Sequence, residues 1–74
     1  MRTKQAKTLR EARLAASLTQ EELAAAVGAT QPSVSQWELG GQVPSGSARL
    51  LLAQALSVPL DVVESWFARE ERAA

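Results

Sequence analysis

Apolar residues recur along this chain at spacings of three and four, the period of a helix with one buried face. Leu9, Ala12 and Ala16 form one such stripe, and Leu23, Ala24 and Val27 form a second. Ala29, Val34 and Trp37 face them, Arg49-Leu-Leu-Leu-Ala-Gln-Ala-Leu56 is a longer run, and Leu60, Val63 and Phe67 fit a last core face. No stretch carries a strand signal. The punctuation agrees. Thr8-Leu-Arg-Glu11 and Thr19-Gln-Glu-Glu22 are capping-box patterns, each with a hydroxyl before a helix and a carboxylate three residues on. They predict a first helix over Thr8–Ser17 and a second over Gln20–Val27, ended by Gly28. Thr30 caps a third helix that tolerates Pro32 in its first turn and stops at Gly40-Gly41, after Leu39. Ser45 or Ser47 caps a fourth that reaches Leu56, and Pro59 breaks it off and opens a fifth, from Leu60 to Arg69 or beyond. The fold class is all-α, a compact five-helix bundle in one domain over residues 8–70. A basic N-terminal arm over 1–7 precedes it and a tail over 71–74 follows.

Composition narrows the function. The 74 residues include no cysteine and no histidine, which excludes a disulfide scaffold, a cysteine nucleophile and the usual zinc sites. There is no nucleophile–base pair and no phosphate loop, so no enzyme and no cofactor are expected. No apolar run approaches the roughly 20 residues of a membrane span, and no signal-peptide-like region opens the chain. A cytoplasmic protein without membrane contact is expected. The formal charge is zero but unevenly spread. Arg2, Lys4, Lys7, Arg10 and Arg13 crowd the start, no Lys or Arg follows until Arg49, and Glu21, Glu22 and Glu38 fall in that gap. The basic start is either a phosphate contact or a solvated tail.

The run from Gln20 to Leu39 has a tighter pattern. Two helices that cross steeply over a short turn need a small residue at closest approach and a permissive residue in the turn. Ala24 and Gly28 supply them. On the stretches LREARLAASLTQEELAAAVGATQPSVSQWELG and PSGSARLLLAQALSVPLD, over residues 8–64, the chain resembles the Cro and phage-repressor type of helix-turn-helix domain, also called the xenobiotic-response-element family. The resemblance implies a lambda-repressor-like bundle. Its helix-turn-helix lies in the second and third helices, and the third enters the major groove of double-stranded DNA.

At about 100° per residue, Val34 and Trp37 share the buried face of the third helix. Pro32, Ser35, Gln36 and Leu39 point away from it, and Gln31 lies at the flank. Gln31 and Gln36 are then the natural base readers, since a glutamine amide bonds bidentately to adenine. Ser35 and Pro32 join them, Pro32 through a thymine methyl. Gln20 matches a family position that contacts phosphate, at a helix N-terminus suited to it. Thr30 is placed with it, and Lys7 and Arg10 are the basic phosphate contacts. The loop Gly40-Gly-Gln-Val-Pro44 carries no charge, where many relatives are basic, so weak or highly sequence-dependent binding is expected. The family pattern pairs Arg13 and Glu38 as a partly buried, structural ion pair.

Val62 and Trp66, four apart, form a second apolar stripe on the fifth helix. An exposed Trp beside a Val predicts a partner surface, and a two-fold homodimer suits DNA with two half-sites. The leading function is a sequence-specific transcriptional regulator, a repressor. The competing one is a protein-binding module on the same fold, an antitoxin, anti-repressor or docking domain with a protein partner and weak DNA affinity.

Overall fold

Four hydroxyl side chains start four of the five helices. Thr8, Thr19, Thr30 and Ser45 each accept a backbone N–H three residues on, which satisfies one of the free donors of a helix start and stabilises it by about 1 kcal/mol. The helices are α1 (Leu9–Ala15), α2 (Gln20–Val27), α3 (Gln31–Leu39), α4 (Gly46–Leu56) and α5 (Leu60–Ala73). The computed structural model describes the backbone of residues 6–73 and the side chains of residues 6–68. Residues 1–5 of the basic arm, with Arg2 and Lys4, lie outside the described residues, as does Ala74 of the tail. Among the described residues there is no strand, and the fold is all-α.

The caps differ in detail. Around Thr19 the capping box is reciprocal: the Glu22 N–H donates to Thr19 Oγ1 at 3.0 Å and the Thr19 N–H to Glu22 Oε1 at 2.9 Å. At Thr8 the returning bond reaches one residue further back, from the Lys7 N–H to Glu11 Oε1 at 2.8 Å. Of the two serines offered for α4, Ser45 is the cap, and its Oγ accepts from the Ala48 N–H at 3.2 Å.

α1 stops two residues short of the expected Ser17. That serine takes a left-handed turn, φ 61°, so that the Leu18 N–H bonds back to the Arg13 carbonyl at 3.2 Å. The conformation costs a serine about 1–2 kcal/mol, offset by carbonyls that would otherwise be left open. Gly28, at φ 70°, makes the same kind of turn without that cost, and the Ala29 N–H reaches the Ala24 carbonyl at 2.9 Å. α4 ends the same way at Ser57, φ 58°, two residues before Pro59. α5 runs through Ala73, and no helix end marks the boundary set at residue 70.

α2 packs against α3 and α4, α4 against α5, and α1 against α3. Leu23, Val34, Leu52 and Val63, one from each of α2 to α5, are fully buried at the centre. Leu9 and Ala12 close the core from α1. Three expected positions differ. Ala16 is exposed because α1 has already turned off. Leu60 is 38% exposed, since α5 enters the core through Val63 and Phe67 and burial does not reach back to its first residue. Trp66 is half-buried rather than exposed. Its indole N–H needs an acceptor and finds the carbonyl of Ala6 at 3.2 Å, while its ring meets Phe67 edge-on at 6.4 Å.

Candidate nucleic-acid interface

α2 and α3 each begin with a glutamine, and the short turn between the helices brings the two side chains together. The Gln31 amide donates to Gln20 Oε1 at 2.6 Å. Gln20 in turn donates to Glu38 Oε1 at 3.0 Å. Glu38 is held by Arg13, whose Nε donates to Oε2 at 2.6 Å and Nη2 to Oε1 at 3.2 Å. The third arm of the guanidinium, Nη1, donates to the Leu18 carbonyl at 2.9 Å. The side chains of Arg13 and Glu38 are 9% and 6% exposed, so this is a buried pair. It ties α1 and the turn after it to the end of α3.

The order of bonds has a direction. An ionised carboxylate only accepts, so Gln20 must present its NH2 to Glu38. Its oxygen is then the atom left for Gln31, and Gln31 must also present its NH2. One N–H and the carbonyl oxygen of Gln31 remain for an outside partner. A donor beside an acceptor complements adenine, whose N7 accepts and N6 donates; guanine offers two acceptors in the same place.

Glu38 must stay charged for this to hold. Burial alone would raise its pKa, but hydrogen bonds from Arg13 and Gln20 and the charges of Arg13 and Arg10 outweigh it, and the carboxyl sits below the ordinary carboxylate value. A depressed pKa contributes stability that is present above the unfolded value and lost as pH falls through the folded one. The stability difference between the wild type and Glu38→Gln is therefore expected to be full at neutral pH and to vanish below the carboxylate range. Urea unfolding of both proteins at a series of pH values checks this. A gap that persists at the lowest pH would mean that the charge of Glu38 is not what holds the pair.

The other positions lie around this chain. Pro32 and Gln36 are exposed and Ser35 is half-buried. The Gln36 amide folds toward the turn after α3, and its oxygen packs where a side chain on Gly41 would stand. A side chain at position 41 would displace the flexible end of Gln36. The Thr30 hydroxyl is engaged: it accepts from the Ser33 N–H at 3.3 Å and donates to Ser33 Oγ at 3.0 Å. Lys7 and Arg10 are exposed before and in α1. Arg49 is buried, with bonds to the Pro44 carbonyl at 3.0 Å and to Glu64 at 2.8 Å, and its guanidinium lies 5.9 Å from the centre of the Phe67 ring. It anchors the end of the uncharged loop to α5. Its burial was legible, since Arg49 shares a helical face with Leu52, Ala53 and Leu56. The link from Gln20 to Gln31 was missed. Its signal was the matching place of the two amides, each first in its helix across one turn.

A helix-turn-helix family model matches residues 9–63, from the start of α1 into α5. The chain belongs to the Cro/repressor-type helix-turn-helix family. Neither the curated proteins nor the solved structures gave a match. The helix-turn-helix itself is α2, the turn through Gly28, and α3, and the domain is a DNA-binding module of regulators. Among the described residues, no helix of this helix-turn-helix protein is long and apolar enough to cross a membrane.

Proposed function

We propose that this helix-turn-helix protein is a sequence-specific repressor of transcription that reads the major groove with α3. The observation that carries the reading is the bonded chain from Arg13 through Glu38 and Gln20 to Gln31. It holds the half-buried Gln31 amide at the start of α3 and leaves it one acceptor and one donor to give. In this reading Gln31 and Gln36 bond to base edges, and Pro32 and Ser35 fill the groove between them. Gln20 and Thr30 approach phosphates at the helix N-termini, and Lys7 and Arg10 supply charge. Two subunits pair through α5, where Val62 and Trp66 keep part of their surface open, and each takes one half-site. The setting is the cytoplasm.

Selection of bound duplexes from random DNA at low salt tests this. A two-fold-symmetric site that binds two subunits is expected. On that site Gln31→Ala costs about 1–3 kcal/mol and relaxes the preferred base at one position, with a much smaller loss on random DNA. Gln42→Lys, which puts a charge in the bare loop, tightens both DNAs by similar factors and steepens the salt dependence by up to roughly one charge per subunit. Equal losses for Gln31→Ala on both DNAs would mean that α3 is not the reader. One observation favours a second reading. No Lys or Arg occurs between Arg13 and Arg49, and both of those are buried. If no duplex is enriched, the domain is a protein-binding module.

A further inference from the structure

Leu39 is 78% exposed, the most open of the large apolar side chains described. It ends α3 on the same outward face as Pro32, Ser35 and Gln36, spaced seven, four and three residues before it. The face that presents Gln31 and Gln36 therefore closes on an isobutyl group, about 12 Å along the axis from Gln31. The loop that follows adds Gln42 and Val43 and no charge. Gln36 does not cover Leu39 with its amide, which folds onto Gly41.

We infer that Leu39 is a specificity-determining residue that reads the 5-methyl group of a pyrimidine in the major groove. The inference rests on the proposed DNA reading and extends its surface past the glutamines. A leucine can bond to neither a phosphate nor a base edge. Pressed against polar edges it strips them of water and returns nothing. The one apolar feature that the groove offers is the methyl on C5 of thymine. The same methyl is carried by 5-methylcytosine, so either base presents the group. Leu39 then favours sites with that methyl and rejects sites without it.

The test starts from the duplex enriched by the wild type. Thymines are replaced one at a time by deoxyuridine, which removes only the methyl. At one position in each half-site the wild type is expected to lose roughly fourfold in affinity, the worth of one buried methyl. Leu39→Ala should bind the thymine and uracil duplexes alike at that position, and Leu39→Met should keep most of the difference. Cytosine against 5-methylcytosine at the same position separates the two sources. A gain with the methylated base means that any 5-methylpyrimidine is read, and no gain restricts the ligand to thymine. Leu39 is too exposed to support the core, and unchanged melting of both variants verifies that. A wild type indifferent to uracil at every position overturns the inference. So does a Leu39→Ala variant that retains the full difference, or one that loses equally on both duplexes. In those cases the loss of base choice in Gln31→Ala still stands for DNA reading. Failure to enrich any duplex overturns both.

Discussion

Arg13→Ala and Glu38→Ala are each expected to lower the free energy of unfolding by about 3–5 kcal/mol, because each leaves the other charge buried alone. A domain of this size holds roughly 4–11 kcal/mol in total, so either variant sits near the edge of folding. The double variant should lose clearly less than the sum, since it removes both buried charges together. Arg13→Ala should be the worse single change, because it also withdraws the donor to Leu18 at the left-handed turn after α1. Urea unfolding of the four proteins measures the coupling, and strictly additive losses would show that the short contact carries no energy of its own.

Leu23→Ala is expected to cost about 2–5 kcal/mol, the range for a fully buried leucine that leaves a cavity. Leu23 is 0% exposed on α2, the helix that packs against both α3 and α4. At roughly 4–8 °C per kcal/mol for a domain this small, the melting temperature should fall by at least about 8 °C. A loss under about 1 kcal/mol would show that the neighbours close over the gap and that the helix crossing does not depend on this side chain.

The start of every capped helix could be read in the chain, because capping is local: Thr8, Thr19, Thr30 and Ser45 act on N–H groups three residues away. The end of α1 could not. It is made by Ser17 in a conformation usually given to glycine, and nothing in the composition flags it. The contact of Trp66 with Ala6 joins residues 60 apart, and helical periodicity carries no information about such a pair. Periodicity also misplaced Leu60, because it gives the direction of a side chain and not how far along the helix a neighbour extends. At the candidate site, the outward set on α3 followed from the turn angle alone. The bond between Gln20 and Gln31 did not, since it depends on which way each amide faces, and that is decided by a carboxylate on the far end of the next helix.

The uncharged loop between α3 and α4 bears on how such a protein would find its site. Proteins slide along DNA because a layer of cations holds them loosely to any sequence. Between Arg13 and Arg49 this chain has no such cation, and Arg49 is buried under Phe67 and Glu64. If the chain reads DNA as proposed, only the exposed Lys7 and Arg10 among the described cations before α4 are left to hold it to any sequence, and its grip on random DNA would be looser than that of a relative with a basic loop. Such a protein would exchange sliding for separate collisions from solution, and fewer copies would be held away from the site.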